Sequence, residues 1–356
     1  MKILHLIHKP QNRGAETFAC QLAGHQKKAG HEVRIIAVYP GSADLPWDGT
    51  IENLRGKEGA LVDWKAWKIL AVFVKDFRPD VIQANSGDTL KYAVFSKKAF
   101  AWKAPIIVRN ASEVGRYIKS GLQKQLNSFL YRNVSGVASV SKTSEKDILV
   151  HFPFLQDKTR VIPVGLEEKN LKPVILLPEK KKHIIHVGGF SFEKNHKGLV
   201  TIFQKVLDAN PDTHLHLVGD GSLRSEIEIL VQRQKLQENV TFYGFVNNPL
   251  DYIKAADVLV LPSIIEGLPG VLLEAMCCKT PVVAYNVGGI KEIVNADTGD
   301  LIDKKNETGF AETILKILEE PDSNKIESAY KLVRNKYMNS ALTMKFLNYY
   351  SEVLKN

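Results

Sequence analysis

The chain has 356 residues, of which 44% are apolar, 8% aromatic and 24% charged, a balance that suits a folded protein of two ordinary domains and excludes a disordered or fibrous one. No apolar run approaches the roughly 18 residues of a membrane span, the opening Met1-Lys-Ile-Leu-His-Leu-Ile7 reads as a strand and not a signal-peptide core, and Cys20, Cys277 and Cys278 make no disulfide framework, so the expectation is a reduced, cytoplasmic protein. The net charge of +9 is uneven: residues 1–170 carry 26 basic against 16 acidic side chains, the remainder 22 against 23. A basic first half suits an anionic partner, a membrane surface, an anionic glycan or a nucleic acid, with solubilising lysine as the plain alternative.

In chain order, Ile3–Ile7 is an apolar strand, Gly14 precedes a helix over Ala15–Ala29 that Gly30 closes, and Glu32–Val38 is a second strand. A helix pattern over Val62–Phe77 stops near Pro79, and Val81–Ala84, Ile106–Val108 and Val137–Val140 are short apolar strands. Ser112–Asn133 sets Arg116, Lys119, Lys124 and Arg132 among Val114, Ile118, Leu122, Leu126 and Phe129, either a basic amphipathic face for anionic lipid or an ordinary surface helix.

The same grammar restarts at His183–Val187 (strand), Leu199–Leu207 (helix), His214–Val218 (strand) and Ser222–Gln234 (helix), then strands at Val240–Tyr243, Val258–Leu261 and Pro281–Ala284. Alternating strand and helix signals predict an α/β chain of two Rossmann-like domains, 1–170 and 171–339. The junction falls in Glu167–Lys182, with Pro173, Pro178 and the run Glu179-Lys-Lys-Lys182. The apolar helical tail, about 340–356, is expected to pack back on the first domain.

The chemistry concentrates in Leu261-Pro-Ser-Ile-Ile-Glu-Gly-Leu-Pro-Gly-Val-Leu-Leu-Glu-Ala-Met276. A strand ends before it, and a helix begins at Gly270 or Val271. Glu266 falls in the loop and Glu274 near the first turn of the helix. Between them lie free amides at a helix start, a site for phosphate, at the strand end where open α/β sheets take ligands. Lys194, in the loop after another strand, supplies a cation for phosphate, although a solvated loop lysine is the simpler reading. Gly14 allows close approach of a ligand to the backbone. His214 and His216 alternate on one strand without a third ligand nearby, so no metal site is expected. A dinucleotide-dependent oxidoreductase needs a Gly-x-Gly-x-x-Gly turn, which neither Gly188-Gly189 nor Gly219-Asp-Gly221 completes. No aromatic-basic platform points to nucleic acid.

These motifs together resemble the retaining glycosyltransferases of family 4. The residues that carry the likeness are Gly14-Ala-Glu16, Val187-Gly-Gly189 with Glu193-Lys194, Leu217-Val-Gly-Asp-Gly221, Phe242-Tyr-Gly-Phe245, the Glu266-to-Glu274 block, and Val283-Ala-Tyr-Asn-Val-Gly-Gly-Ile290 with Glu292. The resemblance implies a GT-B fold, two Rossmann-like domains facing each other across a cleft, and transfer from a nucleotide-sugar, UDP-linked, to a glycan or lipid-linked acceptor in cell-surface polysaccharide or glycolipid synthesis. It implies no cofactor and no metal, which accords with the absence of Asp-x-Asp from the chain.

Carried over by position, Glu274 would bind the ribose hydroxyls and Glu266 the donor sugar at the reacting centre. The backbone at Gly267, Gly270, Val271 and Leu272 would hold diphosphate and sugar, with Gly188 beside them. Lys194 would neutralise the leaving diphosphate, Gly14 would let the first domain approach it, and the backbone near Phe245 would read the base. Glu266 and Lys194 are thus the catalytic candidates.

Three positions depart from the family pattern: Gly189 stands where an Arg usually partners the lysine, with Arg13 a conceivable substitute; Asn85 and Asn110 stand where an acceptor-side His is usual; and Val164 replaces a common Asn. An amide positions a hydroxyl but does not deprotonate it, so a non-catalytic nucleotide-sugar-binding protein of the same fold is the alternative.

Overall fold

The computed structural model describes residues 1–60, 62–179 and 181–355. Lys180 of the expected junction and Asn356 of the expected tail lie outside the described residues. Two compact units emerge, Met1–Glu167 with Asn339–Asn356, and Glu168–Met338.

The first unit runs β1 (Lys2–Ile7), α1 (Gly14–Lys28), β2 (Glu32–Ala37), β3 (Ile51–Asn53), α2 (Trp64–Phe77), β4 (Val81–Ala84), α3 (Gly87–Phe100), β5 (Ile106–Asn110), α4 (Gly121–Arg132), β6 (Gly136–Ser139), α5 (Lys142–His151) and β7 (Thr159–Val161). Its sheet is parallel in the order β3-β2-β1-β4-β5-β6-β7. Helices cover both faces, so β4, β5 and β6 are buried along their whole length, as their unbroken apolar runs require. Side-chain caps place the helix starts: Asp63, Ser86, Ser120 and Ser141 accept from the amides of Ala66, Thr89, Gln123 and Ser144. The Asp63 cap starts α2 at Trp64 rather than the expected Val62. The stretch 112–133 is likewise not one helix: a 3₁₀ turn at Val114–Tyr117 ends before the Ser120 cap opens α4.

The second unit runs β8 (Lys182–Val187), α6 (His196–Ala209), β9 (Thr213–Val218), α7 (Arg224–Arg233), β10 (Val240–Gly244), α8 (Pro249–Ala255), β11 (Val258–Leu261), α9 (Gly270–Cys277), β12 (Val282–Tyr285), β13 (Asp300–Ile302), α10 (Glu307–Glu319) and α11 (Ser323–Lys336). Its sheet is parallel in the order β10-β9-β8-β11-β12-β13. In each unit the winding reverses once, between β1 and β4 and between β8 and β11. At such a reversal the flanking loops diverge and leave room for a ligand beyond the strand ends.

Helix α12 (Asn339–Lys355) returns the chain to the first unit, where Phe346, Leu347, Tyr349 and Tyr350 join the core with Phe18, Ala19 and Leu22 of α1. The Tyr349 hydroxyl accepts from the Val137 amide at 2.8 Å and donates to the Lys158 carbonyl at 2.5 Å. Residue 136 is glycine because a Cβ there would overlap that hydroxyl. Among the described residues no helix is long and apolar enough to cross a membrane.

Candidate functional site

At the reversal of the second sheet, two loops leave neighbouring strands, residues 188–195 after β8 and 262–269 after β11. They are tied together. The Ile264 amide donates to the Glu193 carbonyl at 2.8 Å, and Asn195 Nδ2 to the Pro262 carbonyl at 3.0 Å. Lys194 Nζ donates to Glu266 Oε1 at 2.6 Å, with the two side chains 23% and 10% exposed. Residues expected as separate catalytic candidates, 72 positions apart, are therefore one ion pair. Gly288, at φ +55°, makes this geometry possible, since a Cβ there would overlap the Glu266 carbonyl; beside it the Gly289 amide donates to the Gly267 carbonyl at 2.8 Å. A Cβ on Gly188 would come within 3.2 Å of His186 Nε2 and 3.5 Å of the Lys194 stem.

Helix α9 opens at Gly270 with Pro269 as its cap, which supplies no side-chain acceptor. Among the described residues the amides of Gly270 and Val271 have no acceptor, whereas that of Leu272 bonds the Pro269 carbonyl at 3.3 Å. Two of the three expected phosphate donors are thus free. Glu274 is the fifth helical residue, directly after the first turn, as expected. Its carboxylate has no hydrogen-bond or salt-bridge partner among the described residues, and burial raises its pKa above the ordinary value, opposed by the charge of Lys169. A partly buried carboxylate without a donor is costly, and a vicinal diol would satisfy both its oxygens.

The ends of β9 and β10 extend this edge. Gly219 (φ +131°) and Gly221 let the turn after β9 press against the backbone of Gly188 and Phe190, and the Phe190 amide donates to the Asp220 carbonyl at 3.0 Å. Phe245, just past β10, is 60% exposed. A Cβ on Gly189 would meet only the Asp220 carbonyl, at 3.5 Å, so sterics do not demand glycine there.

Beneath Lys194 lie two histidines that the sequence reading passed over. His186 Nδ1 contacts the Val260 carbonyl at 2.9 Å, and His196 stacks on Phe190 with centroids 4.0 Å apart. Burial pushes His186 down to about 4 and His196 to about 2, so both are neutral and Lys194 stands as a cation over an uncharged floor. The signal was the run Glu193-Lys-Asn-His-Lys-Gly198, in which Asn195 (φ +54°) caps α6 and starts it at His196, ahead of the expected Leu199. His216 is the middle of a buried chain, with His183 Nδ1 2.9 Å from its Nε2 and the Tyr243 hydroxyl 3.0 Å from its Nδ1, whereas His214 Nε2 lies 2.8 Å from Thr241 Oγ1. Among the described residues no group of three or more His, Cys, Asp or Glu is disposed to hold a metal ion.

In the first unit, Gly14 opens α1, and a Cβ there would meet nothing within 4 Å. Asn85 and Asn110 are buried, and their amides serve the framework. Asn85 Nδ2 donates to the Leu6 carbonyl at 3.0 Å while its Oδ1 accepts from Gln83. Asn110 Nδ2 donates to the Ser144 carbonyl at 3.1 Å. A histidine does follow a strand here, after β1 instead of β4 or β5. His8 Nδ1 lies 3.3 Å from Asp88 Oδ2 at the start of α3, and this partner is the main cause of a lowered Asp88 pKa. The pair sits at the reversal between β1 and β4, and Ile7-His8 at the end of the first apolar run was the overlooked signal.

Comparison with known proteins agrees with this arrangement. The family described as Glycosyltransferase Family 4 matches residues 12–169, and Glycosyl transferases group 1 matches residues 167–337. An uncharacterized glycosyltransferase of Methanocaldococcus jannaschii is 26% identical over 96% of this chain and 95% of its own length. The N-acetylgalactosamine-N,N'-diacetylbacillosaminyl-diphospho-undecaprenol 4-alpha-N-acetylgalactosaminyltransferase of Campylobacter jejuni is 26% identical over 67% of each chain. Coverage of a relative's own length falls to 58% in another match. Among solved structures, Anabaena HepE in complex with UDP and glucose superposes with a TM-score of 0.83 at 18% identity, covering 99% of this chain and 100% of the other. The chain is a glycosyltransferase of the GT-B fold, its first unit of the family 4 type and its second of the group 1 type.

Proposed function

We propose that the protein transfers a sugar from a UDP-linked donor to a glycan or lipid-linked acceptor, with retention at the anomeric carbon and without a metal, in the synthesis of cell-surface polysaccharide or glycolipid. The observation that carries this is the Lys194–Glu266 ion pair set beside the free amides of α9, with the unpartnered Glu274 one turn further on. Glu274 takes the ribose diol. Gly270 and Val271 amides take diphosphate oxygens, supported by the positive end of the helix. Departure of the nucleoside diphosphate builds negative charge, which Lys194 and those amides stabilise most at the transition state. Glu266 orients Lys194 and the sugar. Attack comes from the face the leaving group vacates, so no enzyme nucleophile is needed, and the acceptor proton passes to a departing phosphate oxygen. His8, with Asp88 against its Nδ1 and no partner on Nε2 among the described residues, accepts a hydrogen bond from a second hydroxyl of the acceptor, next to the one that attacks.

The choice of donor and acceptor is supported by HepE, solved with UDP and glucose, and by the Campylobacter relative, named for an undecaprenol-linked substrate. The protein works at the inner face of a membrane, to which its basic first unit is drawn. The second reading, a binding protein without turnover, is favoured by Gly189 in place of the family's Arg and by the engaged amides of Asn85 and Asn110. A donor panel followed by UDP release and by saturation binding separates the two: turnover supports the transferase, and tight binding without release supports the binding protein.

A further inference from the structure

Helix α2 carries two stripes. Trp67, Leu70, Val74 and Phe77 fill the core. A second stripe, Lys68, Ala71, Val72 and Lys75, instead walls a surface cavity of about 540 Å³, closed on its other side by Phe100 at the end of α3 and by Trp102 and Ala104 after it. This volume is in the range of small-ligand sites. Its wall is apolar and Val72 is 51% exposed, while Trp64, 55% exposed, packs against Phe100 with ring centroids 5.0 Å apart and planes tilted by 44°. The rim carries Lys68, Lys75, Arg78 and Lys103 and no acid. None of these four cations has a salt-bridge or hydrogen-bond partner for its charge among the described residues. Between residues 64 and 104 there are eight basic and three acidic side chains, so this one helix pair holds half of the +10 excess of residues 1–170.

We infer that the α2–α3 groove is a lipid site that seats an acyl chain of an anionic bilayer lipid, with the headgroup held by Lys68, Lys75, Arg78 and Lys103. An apolar trough ringed by unpaired cations matches an anionic amphiphile in both parts. It does not match a soluble anion, which would not use the trough, or an apolar helix, which would not use the rim. The groove lies at Pro79 and Ala104, before β4 and β5, so the length of those strands, about 13 Å at 3.3 Å per residue, separates it from the strand ends where Asn85 and Asn110 sit. It is therefore no part of the acceptor machinery. This inference rests on the membrane reading above and localises it to one groove.

The test is sedimentation of the full-length protein with vesicles of phosphatidylcholine alone or mixed 3:1 with phosphatidylglycerol, using wild type, the triple variant Lys68→Glu/Lys75→Glu/Arg78→Glu, and Val72→Glu, with thermal melts to verify folding. Each substitution is at an exposed position, so folding should survive. The expected result is binding to the mixed vesicles only, reduced at least tenfold by either variant, and quenching of tryptophan emission by brominated phosphatidylglycerol that Val72→Glu removes. If wild type binds mixed vesicles and both variants match it, the groove is overturned while the membrane reading stands. If wild type binds no vesicle, both fall. A concentration-dependent dimer lost in Val72→Glu would give the groove to a second copy and overturn the lipid site.

Discussion

Replacing Lys194 by Met removes the cation at the reacting centre and keeps most of the stem that lies beside Gly188. A unit charge about 4 Å from a developing phosphate charge is worth about 4 kcal/mol at an effective dielectric near 20, and loss of one preorganised donor costs about 100- to 1000-fold in turnover. Two facts favour the lower figure: Lys194 is 23% exposed, and part of its charge is already answered by Glu266 at 2.6 Å. The expected loss in kcat is about 100-fold, with a smaller effect on UDP binding, because the α9 amides still hold the diphosphate. Glu266, 10% exposed, is left without its partner, which costs about 1–3 kcal/mol. At about 2–4 °C per kcal/mol for a unit of this size, melting should drop by several degrees. UDP release at saturating donor, calorimetric binding of UDP and a thermal melt measure the three quantities separately. Lys194→Met/Glu266→Gln should recover the melting temperature and not the turnover. A Lys194→Met protein with kcat within threefold of wild type would refute the assignment.

Glu274→Ala should weaken UDP about 10- to 100-fold, the worth of hydrogen bonds to a charged group, whereas Glu266→Ala should act mainly on kcat; equal and negligible effects in both would sink the division of roles. Because burial holds the Glu274 pKa above its unfolded value, the folded chain prefers the protonated acid, and its stabilising effect is present below the unfolded pKa and lost as pH rises through the folded one. Glu274→Gln should therefore melt higher than wild type at pH 7 and equal to it near pH 4, as read by scanning calorimetry. His186, His196, His214 and His216 behave in the opposite sense. Their folded values of about 4, 2, 4 and 3 lie below the ordinary 6.5, so the unfolded chain takes up protons first and stability, full above pH 6.5, is lost on acidification, by about 2 kcal/mol per histidine at pH 5. A melting temperature of the second unit unchanged from pH 7 to 5 would contradict their neutral burial. Gly189→Arg restores a cation at a position with room for a Cβ, and a charge-assisted phosphate contact should raise kcat/KM for the donor roughly three- to tenfold; no change would mean that the side chain does not reach the phosphate. Asp88→Asn should raise acceptor KM and leave slow donor hydrolysis unaltered; an equal fall in both would make Asp88 structural.

The strands that build both sheets were legible because parallel strands covered on both faces must be continuously apolar, as Val81–Ala84 and Val258–Leu261 are. The three-residue strands β3, β7 and β13 were not. Each is an edge or near-edge segment whose pairing is set by its neighbour and not by its own pattern. Helix starts were missed by two or three residues where the cap decides, as at Asp63 and Asn195. For the site, the type and spacing of residues found Glu266, Glu274, Lys194 and the glycines. Spacing did not show that Lys194 and Glu266 pair, since that depends on β8 lying beside β11. Nor did it show that Asn85 and Asn110 are engaged by the framework, which depends on the neighbouring β1 and α5 backbone. His8 was overlooked because its partner Asp88 is 80 residues away and meets it only through the β1–β4 pairing.

The most direct test of the central claim is the reaction itself: the purified protein is incubated with a panel of UDP-, GDP- and ADP-linked sugars, with and without simple acceptors and with a chelator present, and the products are read by mass spectrometry and proton NMR. The expected result is release of UDP from at least one UDP-sugar, undiminished by chelation, and a product whose anomeric configuration matches that of the donor. An inverted product, or a well-folded protein that neither transfers nor hydrolyses any nucleotide-sugar, would contradict it.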